Sequence, residues 1–352
     1  MRAILATQGL ESPLHPLSEA PATASIAGTP LLEVWIRKLV RAGFDEIVIA
    51  VGPSCEAIEA VFGDGRRFGV GIAYAFQGRV VDGVLEPFQL SPEQTAGRIH
   101  AQSGFCSGTT LLMRPAGVAN VDLSQMLERH RASGAARTVA NFDGAASGFG
   151  LQLSLFEPEL AAHSPVEWAQ APAADYAAGP AWRLEAPGDY LDLCMAALRE
   201  DVDDWAEPGL EIAPGVRAGV NVSVDLNQVE IVGPVYLGGG SVIRPGARIV
   251  GPAWVGDCAV VDTGVTLSRS VVGRYSRLGA GLTLDESIIN GDRVVDRSGQ
   301  VTVAEPVGPV WSVEERREAQ RAETADASMT LELRRLAGRA SDLWSSPLRR
   351  LT

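Results

Sequence analysis

The chain has 352 residues, 46% of them hydrophobic and 21% charged, which suits two packed domains and excludes a disordered chain or a disulfide-stapled miniature. Acidic side chains outnumber basic ones 43 to 30, and a net charge of −13 repels a phosphodiester backbone, so nucleic acid is not an expected partner. Cys55, Cys106, Cys194 and Cys258 form no CxxC pair and no cluster with histidine, which argues against zinc and fits a reducing cytoplasm, and no window approaches the roughly 20 apolar residues of a membrane span.

In chain order, Arg2–Ala6 reads as a short buried strand, followed by a loop punctuated by Gly and Pro. Thr29 as N-cap and Pro30 in the first turn predict a helix carrying Leu32, Trp35, Ile36 and Leu39 at helical spacing, stopped by Gly43. Lys38, in this helix, is the only lysine in the chain, so any chemistry that requires an ammonium group must use it. Glu46–Val51 reads as the next strand, and a strand, helix, strand run of this length implies a parallel pair with a right-handed crossover. A helix over 56–62, the turn Gly63-Asp64-Gly65 and a strand over 70–76 follow. Strands over 109–113 and 136–141 and helices over 123–132 and 188–200 complete an α/β domain over residues 1–200. His130, on one of these helices, is expected at the surface or near a helix end.

After Pro208 the pattern becomes a repeat. Ile231, Leu237, Ile243, Ile249, Val255, Val261 and Leu267 fall six residues apart, and Gly233-Pro234 recurs as Gly251-Pro252 three hexads later. The beat slips by one and resumes at Val272, Leu278 and Leu284, with a weaker lead-in at Ile212, Ala218 and Val224. This predicts a triangular solenoid over 208–305 in which each hexad sends one aliphatic side chain inward. Trp254 and Tyr275 are expected to face outward or sit at corners, either as interface anchors or partly buried against a neighbouring coil. In the tail over 306–352, Ser312 and Glu315 form a capping box, and Met329, Leu333, Leu336, Ala340 and Leu343 make a helical stripe suited to packing on the protein's own body or a sister subunit.

The run RAILATQGLESPLHPLSEAP, then IAGTPLLEVWIRKLVRAGFDEIVIAVG, FGDGRRFGVGIAYAFQ, TAG and a hexapeptide solenoid resembles the sugar-phosphate nucleotidyltransferases, including mannose-1-phosphate guanylyltransferase-like and glucose-1-phosphate uridylyl- or adenylyltransferase-like proteins. The resemblance covers nearly all of residues 1–300 and implies a Rossmann-like, glycosyltransferase-A-like α/β domain, a left-handed β-helix and a helical tail. It also implies attack of a sugar 1-phosphate on the α-phosphorus of a nucleoside triphosphate, with cations neutralising the spreading charge.

The positions that carry this chemistry in the family are altered here. The phosphate loop Gly-Gly-x-Gly-Thr-Arg-Leu-x-Pro-Leu matches Gln8-Gly9-Leu10-Glu11-Ser12-Pro13-Leu14-His15-Pro16-Leu17, so Glu11 replaces a glycine and Pro13 the arginine. The family's two lysines fall on Pro21 and Thr29 in Ala20-Pro21-Ala22 and Gly28-Thr29-Pro30. The magnesium-binding aspartate of Asn-Gly-Asp falls on Ala116 in Arg114-Pro115-Ala116, and a second metal aspartate falls near Arg183. Gln8, Gly9, Thr95, Ala96 and Gly97 retain a vestigial nucleotide-side match, for which a structural turn is an equal explanation.

Three readings follow. The first is a non-catalytic regulatory, sensing or assembly subunit that holds a nucleotide-sugar, needs no cofactor or metal, and forms a homo-oligomer or a complex with an active paralogue. The second is an active nucleotidyltransferase using Mg²⁺ and relocated groups drawn from Asp143, Glu93, Glu11 and Arg98. The third, a hexapeptide-repeat acyltransferase, lacks a base, because His15, His100, His130 and His163 all precede the solenoid.

Overall fold

The structure is a computed structural model, and it describes residues 1–7, 23–52, 55–81, 84–143, 151–205, 208–303 and 307–309. Two compact units divide the chain, Met1–Glu207 and the part from Pro208 onward.

In the first unit the strands are β1 (Arg2–Ala6), β2 (Ser25–Ile26), β3 (Thr29–Pro30), β4 (Glu46–Val51), β5 (Gly71–Phe76), β6 (Gly78–Val81), β7 (Val84–Pro87), β8 (Thr110–Arg114), β9 (Gly117–Ala119), β10 (Arg137–Asp143), β11 (Gln152–Phe156) and β12 (Ala173–Arg183). The helices are α1 (Leu31–Arg41), α2 (Cys55–Phe62), α3 (Pro92–Ser103), α4 (Leu123–Ser133), α5 (Pro165–Gln170) and α6 (Pro187–Leu198). Eight strands form one sheet in the order β5-β4-β1-β8-β11-β10-β12-β9, with β5, β4, β1 and β8 mutually parallel. Ala3, Ile4, Leu5 and Ala6 are all buried, as expected of a parallel strand covered on both faces. The main core gathers Leu5, Ile49 and Met113 from these strands against Trp35, Ile36 and Leu39 of α1.

Thr29 does not cap α1. Ala27 and Gly28 take positive φ (42° and 84°), the turn that closes a two-residue hairpin, so Thr29 pairs with Ile26 and the helix begins at Leu31. His130 is also displaced from its expected place at the surface. It is 1% exposed, with Nδ1 2.9 Å from Thr138 Oγ1 and Nε2 2.8 Å from Glu157 Oε1. A further helix, α3, opens on a reciprocal capping box of Ser91 and Gln94 with Pro92 in the first turn.

In the second unit the six-residue beat becomes three parallel ladders. Ile231, Ile249, Leu267 and Leu284 are successive register partners in one, and Leu237, Val255, Val272 and Ile289 in another. Ile243, Val261 and Leu278 form the third. These side chains meet in a single aliphatic core, so the three sheets fit a β-helix. The slip after Leu267 shortens that coil by one residue, and Leu267 pairs with Leu284. Gly251 lies on the coil above Pro234, where a Cβ would stand 2.2 Å from the Pro234 carbonyl oxygen, so only glycine lets the corners stack. At the lead-in, Ala218 is buried but Ile212 is 41% exposed on an antiparallel edge strand, Leu210–Ala213, and does not join the core. Trp254 is buried, not exposed: its ring stacks on Tyr236 of the preceding coil at 4.0 Å. Tyr275 occupies a corner at φ 57° and is exposed.

Val307–Pro309 pairs antiparallel with Ser276–Leu278; the capping box and helical stripe of the tail lie outside the described residues. Among the described residues no helix is long and apolar enough to cross a membrane.

Candidate functional site

In doubly wound sheets ligands bind beyond the carboxyl ends of the parallel strands, where the strand order reverses, which here is between β1 and β8. Gln8, Gly9, Glu11, Pro13 and Pro21, which follow β1 in the sequence, lie outside the described residues. Thr7, the last described residue before them, is fixed by a hydroxyl donated to the Ala50 carbonyl at 2.8 Å.

Two positions far apart in sequence meet at the edge of the sheet. Arg183, the last residue of β12, is the register partner of Gly117, and the Leu184 N–H donates to the Ala116 carbonyl at 2.9 Å. Gly117 is held from the other side by Trp35 of α1, whose indole N–H donates to its carbonyl at 2.7 Å. A Cβ on Gly117 would lie 2.1 Å from the Trp182 carbonyl oxygen, so this crossing requires glycine. Arg183 Nε lies 3.1 Å from Asp189 Oδ1, in the first turn of α6, and the Glu185 N–H donates to the other oxygen of Asp189. The Asp189 carboxylate is therefore already held by a guanidinium. A divalent cation needs oxygen ligands, and an alanine beside an Arg–Asp pair does not fit one. Among the described residues no group of three His, Cys, Asp or Glu side chains is placed to hold a metal.

Thr29 is half-buried in the β2–β3 hairpin, which Tyr190 of α6 tethers by donating its hydroxyl to the Ser25 carbonyl at 2.8 Å. Burial raises the Tyr190 phenol well above its ordinary range and pushes the neighbouring Cys194 thiol up to about 12, so both stay protonated and structural. The same helix thus positions Arg183, through Asp189, and the segment that carries Thr29.

Thr95, Ala96 and Gly97 sit in the first turns of α3. Thr95 and Ala96 are fully buried, and the Thr95 hydroxyl donates to the Ser91 carbonyl at 2.9 Å. Gly97 lies against the 3-10 turn Pro158–Ala162, where a Cβ would stand 3.0 Å from the Ala161 carbonyl oxygen. These three residues pack the helix in place and present no side chain to a ligand.

Of the groups considered as relocated catalysts, Arg98 stacks its guanidinium on the Phe88 ring at 4.4 Å, and Glu93 is half-buried in the first turn of α3. The backbone of Asp143 ends β10, while its side chain and Glu11 lie outside what is described. The sequence offered no signal for Gln77, which is fully buried at the carboxyl end of β5, donates through Nε2 to the Ala75 carbonyl and has no hydrogen-bond partner for Oε1 among the described residues. Arg114 is the last residue of β8, beside the switch point.

No family model matches the chain. A UTP–glucose-1-phosphate uridylyltransferase from Synechocystis is 26% identical over 367 aligned residues, covering 91% of this chain and 95% of that protein. Along nearly its whole length the chain is thus similar to a sugar-phosphate nucleotidyltransferase. A crystal structure from Bacillus anthracis, assigned as a glucose-1-phosphate thymidylyltransferase in complex with a sucrose, has a TM-score of 0.46 and 13% identity over 58% of this chain and 96% of its own. In this chain the junction of β9 and β12 is occupied by an alanine and an ion-paired arginine.

Proposed function

We propose that this chain is a non-catalytic member of its family, a regulatory, sensing or assembly subunit of nucleotide-sugar metabolism that binds a nucleotide-sugar without a metal. The observation that carries the reading is the meeting of Ala116 and Arg183. The two positions that match the family's metal aspartates come together, and between them they offer a methyl group and a guanidinium already joined to Asp189. Magnesium would find the Asp189 carboxylate already paired with Arg183, whereas in this reading the diphosphate of a nucleotide-sugar lies toward Arg114 at the end of β8. In this reading the second unit is a left-handed β-helix, with domains over 1–200 and 208–305, and the solenoid or the tail over 306–352 joins a second copy or an active paralogue in the cytoplasm.

The competing reading is an active uridylyltransferase with relocated groups. The specific observation in its favour is the match to the Synechocystis enzyme along nearly the whole of both chains. The deciding experiment incubates the full chain with Mg²⁺, each nucleoside triphosphate and glucose or mannose 1-phosphate, and measures pyrophosphate. In parallel, UDP-glucose and GDP-mannose are titrated calorimetrically with EDTA present. Binding in EDTA without pyrophosphate release supports the sensor. Turnover that depends on Mg²⁺ overturns it in favour of the enzyme, and neither binding nor turnover overturns both.

A further inference from the structure

One outer face of the solenoid is buried although it points away from the core. On the ladder whose inward side chains are Leu237, Val255, Val272 and Ile289, the outward row is Tyr236, Trp254, Val271, Ile288 and Val295, register partners from strand to strand. None of the five belongs to the aliphatic core, and none is more than 7% exposed. Neighbouring strands stand about 4.8 Å apart and cover the flanks of an outward side chain, not its tip.

The other two ladders show how an uncovered face differs. Val250 and Val260 also point outward from the middle of a ladder, and both are only half-buried. Their outward partners include Ser268 and Arg277. Val271, likewise with a strand on each side, is 4% exposed. The row from Tyr236 to Val295 is therefore apolar along its whole length, and its cover comes from beyond its own ladder.

The place and length of the row select the occupant. It crosses five strands, which is about 19 Å from first to last. Val307–Pro309 pairs with Ser276–Leu278, which follows Val271-Val272 on the same coil, so the last described residue before the tail stands one corner away from this face. In the tail, Met329, Leu333, Leu336, Ala340 and Leu343 make a helical stripe about 21 Å long at 1.5 Å per residue. The segment from Pro309 to Met329 tethers that stripe, and a short tether holds it at a roughly millimolar effective concentration, which a second copy must exceed to compete. We infer that the stripe over 329–343 lies along this outer face of its own chain, running across the strands, with its leucines against Trp254, Val271 and Ile288. The tail is thereby committed to the solenoid that carries it, and contacts with another copy fall to other surfaces. The inference goes beyond the function proposed above and does not depend on it.

Two measurements on the full chain test this. In the first, Tyr236→p-benzoylphenylalanine is irradiated in a mixture of ¹⁵N-labelled and unlabelled chains. Peptides joining position 236 to the tail stripe are expected, with both halves carrying the same isotope. In the second, the alkylation of Val271→Cys by iodoacetamide is followed by peptide mass spectrometry. A covered thiol reacts only after local opening, so its rate is expected to be about tenfold or more below that of Val250→Cys. Adding Leu336→Glu in the tail should raise the Val271→Cys rate by a similar factor and leave the Val250→Cys rate unchanged, which shows that the solenoid itself stays folded. Three results would overturn the inference: no crosslink from position 236 to the tail, crosslinks of mixed isotope only, or a Val271→Cys rate that Leu336→Glu does not change.

Discussion

Arg183 lies directly across the strand pair from Gly117, so a guanidinium stands beside the Ala116 peptide, the two positions that the sequence resemblance matches to metal-binding aspartates. Arg183 is tied to Asp189, and in the proposed reading Arg114, at the end of β8, meets the diphosphate. Arg114→Ala should therefore weaken UDP-glucose binding by about tenfold or more, and Arg114→Lys should restore part of the loss, because one point charge replaces a bidentate fork. Calorimetry with and without Mg²⁺ checks this; a dependence on Mg²⁺ in the parent protein would contradict it.

Lys38 makes stability depend on pH in a definite direction. Its folded pKa is depressed by burial, so as pH rises toward the unfolded value of 10.5 the folded chain sheds its proton first and binds fewer protons than the unfolded one. Stability then rises with pH over that window. Below it the charged ammonium is a net cost. Lys38→Met should match or exceed the parent in urea midpoint near neutral pH, and the difference should shrink as pH approaches 10.5. A variant that is less stable at neutral pH, with no convergence at high pH, would contradict this.

The imidazole of His130 closes a chain of hydrogen bonds from Thr138 through Glu157 to Thr109. His130→Ala removes two bonds at once and strands the Thr138 hydroxyl in the core. The expected loss is about 1–3 kcal/mol per orphaned buried group, read as a lower urea midpoint with an unchanged slope.

In the solenoid, Leu267→Ala opens a cavity in the aliphatic column and should cost about 2–5 kcal/mol, and Trp254→Ser, which strips the stack on Tyr236, a similar amount. Because Trp254 is buried, its loss should lower the melting temperature and leave oligomer mass in light scattering unchanged. Tyr275→Ser, at an exposed corner, is the contrasting substitution and should leave the melting temperature nearly as it was.

Periodicity and local chemistry made the regular elements legible. The apolar runs of β1 and β4, the helical stripe of α1 and the six-residue beat from Ile231 to Leu267 each follow from one chain segment and its own spacing. So does the absence from the matching positions of the family's arginine, lysines and aspartates, since composition at a position needs no fold to be read. The tertiary structure decided what depends on partners distant in the chain. The positive-φ turn at Ala27-Gly28 took Thr29 from the helix into a hairpin, Glu157 and Thr138 drew His130 inside, and a ring on the preceding coil covered Trp254. It likewise brought Ala116 beside Arg183 and buried Lys38 in an ion pair with Asp204, because burial and pairing are set by what packs against a residue and not by its neighbours in sequence.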